Sequence, residues 1–387
     1  MQGNPDFHAV EQAVHQRLGA DDPEGAEALA RAALGPSGAG PVPLLAMLGS
    51  AVRQQGRIAE AREIQRALVE AVPGNLGLRF DLAETLLLLG EFERGWREYH
   101  YRYSLPHTRA IERKVRRPRW DGRRLEGRVL LIHDEQGYGD TFQFLRLVPR
   151  AKERSGARVV LEVGPEALPF ARRMTGIDAV IPRGQLPPPF DVHCEMMSLP
   201  MALGLGLADL PGPLPYLASD PGRRARWRKR LDKLARPLVA LVWAGRPSHP
   251  NDRNRSMRLA DLAPLAGSGA TFLAIQKGPA ASEAAAPPAG MTLVNLGDAI
   301  RDFDDTAAIL EAADLLISVD SSPVHLAGAL GASAWVLLPF VPDWRWLTAR
   351  EDSPWYPSLR LFRQPARGDW AAVTARVAGE LTVLCRR

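Results

Sequence analysis

Apolar positions in the first hundred residues recur at helical spacing, and the pattern itself repeats. Leu48, Gly49, Val52, Gly56 and Ala61 return 34 residues later as Leu82, Ala83, Leu86, Gly90 and Gly95. A fainter copy (Val10, Ala13, Val14, Ala26, Ala30, Ala33) lies about 35 residues upstream of its counterparts. Small residues where two helices cross, with Pro73-Gly74-Asn75 closing a unit, predict helix pairs that bury their faces only against their neighbours. The segment 35–43, GPSGAGPVP, reads as the loop between the first two units.

From Arg128 onward the texture changes. Short apolar runs at Val129–His133, Val159–Val163, Ala179–Ile181 and Phe190–His193 alternate with helical patterns at Thr141–Arg154 and Ala167–Met174. An arginine-rich stretch, Pro221–Arg236, interrupts them. A second series then predicts strands at Leu238–Trp243, Thr271–Gln276, Leu293–Leu296, Leu315–Val319 and Trp335–Leu338. Its helices fall near Leu259–Ala266, at Asp304–Ala312, at Pro323–Leu330 and from Trp370 to Leu384. Strands alternating with helices imply right-handed βαβ units on parallel sheets. The expected fold is therefore α plus α/β: helical repeats over 1–105, a basic linker at 106–126, a Rossmann-like half at 127–218, a basic connector at 219–236, and a second Rossmann-like half at 237–387.

Composition narrows the class. Of the 387 residues, 46% are hydrophobic and 24% charged, a globular balance with enough chain for two or three domains. No run approaches the ~18 uncharged apolar residues of a membrane helix. Met1–Leu18 mixes acids and histidines without a hydrophobic block, and two cysteines, Cys194 and Cys385, make neither a disulfide framework nor a four-cysteine zinc site. A cytoplasmic protein is the expectation. The net charge of +5 sits in two places. Residues 109–128 carry nine Arg/Lys against Glu112, Asp121 and Glu126, and residues 223–236 carry eight against Asp232, so the remainder is acidic. These segments read as solvated linkers or helix faces, with peripheral contact to an anionic membrane as the functional alternative. No RNA-binding or zinc-finger pattern accompanies them, so no nucleic-acid partner is expected.

In such folds ligands bind beyond the carboxyl ends of the strands, which directs attention to four loops. After the first strand comes His133-Asp134-Glu135-Gln136-Gly137-Tyr138-Gly139-Asp140. Gly137 and Gly139 permit a tight turn and close approach of a ligand. Asp140 can cap the following helix or act as a general base towards a hydroxyl. The dinucleotide fingerprint is absent, because Phe142 occupies the third glycine position. After Trp243, Gly245 and the arginines Arg246, Arg253 and Arg255 suit bidentate pairing with phosphate oxygens, a flexible polar loop being the plainer reading. Lys277 adds a cation after the next strand. The sequence Asp320-Ser321-Ser322-Pro323-Val324-His325 places hydroxyls, a histidine and a proline at the start of a helix, which is a ready anion site.

The stretch from Asp320 to Leu330 continues through Leu326-Ala327-Gly328-Ala329. It resembles the D-[ST]-x-x-x-H-x-A-x-A-L segment of the ADP-heptose:lipopolysaccharide heptosyltransferases and their relatives in glycosyltransferase family 9. Gly139-Asp140, with Pro149 nine residues after the Asp, is similar to that family's G-D-x8-P element. The resemblance spans roughly 127–387, and the 34-residue period resembles the tetratricopeptide repeat. Together they resemble bacterial tetratricopeptide-repeat proteins with a heptosyltransferase-like domain and, distantly, the repeat-plus-GT-B layout of protein O-GlcNAc transferases. What the resemblance implies is a GT-B fold whose C-terminal half holds a nucleotide-sugar donor. Asp140 would deprotonate the acceptor hydroxyl, Asp320 would contact donor sugar hydroxyls, and Ser321, Ser322 and His325 would hold the diphosphate. Arg255, or instead Arg253 or Arg258, would neutralise the departing diphosphate. No metal or other cofactor is implied, and inversion at the anomeric carbon is what the family does.

The first α/β half is short, about 90 residues, so acceptor-binding elements of a full family member can be lacking. Phe340, Asp343 and Trp344, in the run PFVPDWRW, fit either a base or sugar contact or a plug between domains. Trp96, Tyr99, Tyr101 and Tyr103 are expected to pack against the next domain. The repeats either grip a protein or merely cap the enzyme. The expected activity is sugar transfer from a nucleotide donor to a hydroxyl, with a protein acceptor preferred. A surface-glycan transferase and a non-catalytic repeat scaffold are the alternatives.

Overall fold

A computed structural model of the chain describes residues 6–105 and 115–386. It divides into two compact units, Met1–Glu112 with Val341–Thr348, and Arg113–Phe340 with Ala349–Arg387.

In the first unit the described residues form helices α1 (Phe7–Gly19), α2 (Pro23–Leu34), α3 (Val42–Gln54), α4 (Ile58–Ala71), α5 (Leu76–Leu88) and α6 (Phe92–Tyr99). They pack as hairpins, α1 on α2, α3 on α4 and α5 on α6, with α2 on α3 and α4 on α5 joining successive pairs. The period found in the sequence is thus a helix-hairpin period. Local chemistry sets the starts: Asp6, Asp22 and Asn75 accept the first free backbone N–H groups of α1, α2 and α5. One core joins Val14, Ala26, Ala30, Leu44, Leu48, Val52 and Ala61, and a second joins Leu68, Leu78, Leu82 and Leu86. Of the small residues singled out by the repeat, Gly49, Ala61, Ala83 and Gly95 are buried, whereas Gly56 and Gly90 turn the chain between helices at φ of 78° and 81°. Trp96 and Tyr99 pack on Trp344 of the 341–348 segment within this same unit. The basic residues 109–114 lie outside the described residues, as does the side chain of Tyr103.

The second unit contains two parallel sheets. In the first, β1 (Val129–His133), β2 (Arg158–Val163), β3 (Ala179–Pro182) and β4 (Val192–Glu195) lie in the order β3-β2-β1-β4. Its helices are α7 (Tyr138–Phe144), α8 (Leu147–Ser155), α9 (Leu168–Arg173) and α10 (Leu199–Leu203). Helix α11 (Pro221–Leu231) leads to the second sheet, made of β5 (Leu238–Val242), β6 (Thr271–Ala274), β7 (Leu293–Asn295), β8 (Leu315–Val319), β9 (Ala334–Leu338) and β10 (Leu359–Arg363). Helices α12 (Asp252–Arg255), α13 (Phe303–Leu310), α14 (Ser322–Leu330) and α15 (Trp370–Cys385) connect and close it. The order β10-β9-β8-β5-β6-β7 is the doubly wound arrangement, and it reverses between β5 and β8. The two α/β halves expected from the alternation are present.

Three local readings are corrected. The helical pattern Thr141–Arg154 is two helices that break around Leu145-Arg146. The expected helix near Leu259–Ala266 is a 3-10 helix over Leu259–Ser268, with Pro264 inside it. Strand β10, Leu359–Arg363, is absent from the expected elements, because apolar and charged residues mix along it. Of the two readings left open for the arginine-rich stretch Pro221–Arg236, linker or helix face, its first part takes the second: Pro221–Leu231 is helix α11, with Trp227 and Leu231 buried on one face.

That helix also answers what the connector's charge does. Arg223 pairs with Asp302 and, at 3.5 Å, with Asp305; Arg226 reaches Asp305 at 2.7 Å, Arg224 reaches Glu311 at 2.7 Å, and Arg236 pairs with Asp314. Half of the basic cluster is thus balanced within the domain by acids on α13 and at its two ends. Arg228, Lys229, Arg230 and Lys233 remain on the exposed side. The other basic segment is also partly ordered: Trp120 N–H donates to His193 C=O at 2.7 Å and His193 N–H to Pro118 C=O at 3.1 Å. Residues 118–120 therefore extend the first sheet beside β4.

Candidate functional site

The β5/β8 reversal brings together the carboxyl ends of two central strands. The chain leaves β5 through Trp243-Ala244-Gly245 and leaves β8 through Asp320-Ser321. Buried Gln276 ties the first of these ends down: its Oε1 accepts N–H groups of Trp243 and Ala244 at 3.0 Å each, while its Nε2 donates to the Ala244 and Lys277 carbonyls. Sequence reasoning missed this residue, although a glutamine at a strand end is a usable signal for such a clamp.

Arg255, at the end of α12, crosses to the other strand end and donates through Nη1 to the Asp320 carbonyl at 3.0 Å. Asp252 holds it from the side, with Oδ1 at 3.5 Å from Nε. Gly245 makes room for this arrangement, because a Cβ there would sit 2.7 Å from both Arg255 Nη2 and Asp252 Oδ1. Among the three arginines left open by the sequence, Arg255 is the one at the strand ends; Arg253 and Arg258 are exposed, and Arg258 lies 3.4 Å from Asp261.

Helix α14 starts on the other side of the same point. Ser321 is its N-cap residue, but its hydroxyl faces Val319 C=O and Ser318 Oγ, each 3.2 Å away, and makes no side-chain cap to the helix. His325, one turn in, is buried, with Nδ1 3.1 Å from Tyr356 Oη and Nε2 3.9 Å from Asp320 Oδ1. Asp320, Ser321, Ser322, His325 and Arg255 therefore lie together at the ends of β5 and β8. Arg255 and the helix dipole supply positive potential, and the Ser322 hydroxyl and the imidazole can supply short-range hydrogen bonding.

The first half meets this helix directly. Helix α7 packs on α14, and a Cβ on Gly139 would lie 2.9 Å from His325 Cδ2 and 3.4 Å from Ser322 Cα. Asp140, half-buried on α7, accepts from Gly137 N–H at 2.9 Å and so caps its own helix. Neighbouring Asp134 is fully engaged: it accepts from Gly164 N–H at 2.7 Å, Arg183 Nε at 2.8 Å and Thr141 Oγ1 at 3.3 Å. Burial outweighs these partners and raises its carboxyl above the usual range. Arg146, at the break between α7 and α8, pins the halves together. It donates to Pro211 C=O at 2.9 Å, Trp355 C=O at 2.7 Å and Tyr216 Oη at 3.0 Å, and it stacks on the rings of Tyr216 and Tyr356.

The remaining candidates lie elsewhere. Lys277 turns to its own loop, donating to Gly297 C=O at 2.9 Å and Ile300 C=O at 3.1 Å. Phe340 N–H donates to Gln364 Oε1 at 3.0 Å. Asp343 accepts from Arg345 at 2.9 Å. Trp344 is 2% exposed, with Trp96 edge-on at 5.1 Å and the Arg345 guanidinium 4.0 Å from its ring centroid.

No protein-family model matches the chain. It is 28% identical over 333 residues to Protein FlbA of Caulobacter vibrioides, covering 79% of this chain and 54% of that protein. The chain thus spans about half the length of that curated relative. Among solved structures, it is similar to E. coli ADP-heptose lps heptosyltransferase II (15% identity, TM-score 0.48, 67% of this chain and 99% of that one). It is also similar to a glycosyl transferase family 9 protein from Veillonella parvula (11%, 0.49, 68% and 99%). A further similarity is to the O-GlcNAc transferase of Thermobaculum terrenum (14%, 0.32, 98% and 92%). Among the described residues, no helix is long and apolar enough to cross a membrane.

Proposed function

We propose that this chain is a glycosyltransferase of GT-B type that moves a sugar from a nucleotide-sugar donor to a hydroxyl acceptor. The observation that carries this reading is the β5/β8 reversal, where Arg255 sits on the Asp320 carbonyl beside the Ser321–Ser322 start of α14 and buried His325. A diphosphate placed there meets the positive end of the α14 dipole, a fixed guanidinium and the Ser322 hydroxyl, which stabilise the negative charge that grows on the leaving nucleotide. Asp320 would then hydrogen-bond donor sugar hydroxyls, and Asp140 would accept the acceptor proton. In this reading Arg255 and the α14 dipole balance that charge, and no metal is called for at the donor.

The acceptor in this reading is a protein or peptide held by the helix hairpins, which we take as tetratricopeptide-like repeats. A soluble chain acting in the cytoplasm fits such an acceptor. A surface-glycan acceptor is the competing substrate, and a peripheral membrane contact through the exposed side of α11 would go with it. One observation favours a third reading, a non-catalytic scaffold: the Asp140 carboxylate is already occupied in capping Gly137.

The deciding experiment is a thermal-shift and calorimetric panel of ADP-, GDP-, CDP- and UDP-sugars and their diphosphates, on wild type and on His325→Ala. A ligand bound only by the folded state raises the unfolding midpoint. A shift confined to one nucleotide class and lost in the variant supports the donor site; no shift with any of them sinks it and leaves the scaffold.

A further inference from the structure

The first sheet has its own reversal point, between β1 and β4, where the proposed transfer reaction draws on Asp140 of the segment after β1 but on none of the buried polar side chains of the strands themselves. In the parallel register His133 pairs with Glu195 on one side and with Glu162 on the other, so the three share a face at the carboxyl end of the sheet. His193, two residues before Glu195 on β4, points the same way. Chain positions sixty residues apart are thus brought into one cluster. His133, His193 and Glu195 are 2%, 2% and 1% exposed. One ligand atom from each lies within 4.8 Å of the other two.

The distances are informative. His133 Nε2 is 3.3 Å from His193 Nδ1, and the rings are almost parallel at 15°. That separation is long for a hydrogen bond between nitrogens. It matches the nitrogen–nitrogen edge of a tetrahedron with metal–nitrogen bonds of 2.0–2.1 Å, which is about 3.3–3.4 Å. His193 Nδ1 lies 3.9 Å from Glu195 Oε1, and Arg119 Nε donates to that same oxygen at 2.7 Å. Oε2, the other oxygen, is buried with no hydrogen-bond partner among the described residues. The Glu195 carboxyl thus has one oxygen oriented by Arg119 and the other without a hydrogen-bond partner among the described residues, beside the two imidazoles.

We propose that His133 Nε2, His193 Nδ1 and Glu195 Oε2 form a binding site for a divalent transition-metal ion of the zinc class. Two imidazoles and one carboxylate suit zinc, cobalt or ferrous iron and not the all-oxygen shells of calcium and magnesium. Arg119 holds the carboxylate from outside, as an outer partner that fixes a ligand's direction. Three protein ligands leave a fourth position for water or for a ligand, which is the open type of site. The position is also where a doubly wound sheet presents its crevice. The inference is independent of the donor site and holds whichever reading of that site survives.

The test uses the full chain after chelator treatment. Titration with Co2+ should develop the visible bands of four- or five-coordinate cobalt, saturate at one equivalent, and lose them on adding Zn2+. His133→Gln and His193→Gln should weaken cobalt binding by at least about 100-fold, and Glu195→Gln by about tenfold or more, while nucleotide binding stays unchanged. Circular dichroism of the metal-free variants checks that they fold. X-ray absorption of the zinc-loaded wild type provides a readout that needs no variant, and should show two imidazole scatterers. Cobalt showing only its aquo spectrum, saturable binding that survives both histidine variants, or zinc without imidazole scattering would each overturn the site.

Discussion

Gly139 and His325 touch across the two α/β halves, so closely that a single added Cβ would stand 2.9 Å from the imidazole Cδ2. The glycine in the first-strand loop is therefore a condition for seating His325 between Asp320 and Tyr356. Gly139→Ala should force α7 off α14 by a few tenths of an ångström, at about 1–3 kcal/mol. The expected result is a lower unfolding midpoint together with a nucleotide affinity reduced about tenfold. Gly137→Ala, at an exposed position, should leave affinity unchanged. Equal affinities for wild type and Gly139→Ala would show that the contact does not set the site.

Arg255 offers a sharper test of where the diphosphate sits. Its Nη1 is fixed on Asp320 C=O while Asp252 steadies the guanidinium, so the fork is preorganised for a phosphate. Arg255→Lys keeps a charge but loses the planar pair of donors. We expect calorimetry to show at least about tenfold weaker diphosphate binding for Arg255→Lys and more for Arg255→Ala. Lys277→Ala should leave binding within about twofold, because Lys277 is tied to Gly297 and Ile300. The reverse ranking would move the anion site to the β6 end.

Trp344 separates packing from ligand contact. Buried against Trp96 and Tyr99 in the helical unit, it should cost about 3–5 kcal/mol when cut to alanine. The expected signature of Trp344→Ala is a lower unfolding midpoint with an unchanged nucleotide-induced shift. Loss of the shift in a variant that keeps wild-type stability would instead make the ring part of the binding surface.

These cases show which features a sequence displays openly. Strands such as Val129–His133 and Leu315–Val319 are continuous apolar runs, because both faces of a parallel sheet are covered, and they are found where they were expected. The α14 segment was readable because cap, proline and histidine lie within six residues. Helix α11 was legible only as linker or helix face: its arginines look like solvent-facing residues until Asp302 and Asp305, some eighty positions away, are placed against them. The pair His193 and Glu195 alternates with Val192 and Cys194, a strand signature, but its partner His133 is supplied by register and not by spacing. Trp344 was ambiguous for a related reason, since no local pattern says which aromatic residues a distant helix will bring to it.

Asp305 ties α11 to α13 and makes the fold's acid response predictable. It is fully buried and accepts from Arg301 Nε at 2.9 Å, Trp227 Nε1 at 3.0 Å and Arg226 Nη2 at 2.7 Å. Burial alone would raise its carboxyl, but the Arg301 and Trp227 donors and the Arg223 charge outweigh it and hold the group far below its ordinary value. A carboxyl depressed in the folded state stabilises the fold above the unfolded value near 3.9 and loses that contribution as pH falls through the folded value. Asp305→Ala should therefore cost about 3 kcal/mol at pH 7, where Arg223, Arg226 and Arg301 lose their common partner. The gap between wild type and variant, measured by urea unfolding, should begin to close below about pH 4 and keep closing as acid is added. A gap that stays constant from pH 7 down to the acid limit would mean that Asp305 acts by packing and not by its charge.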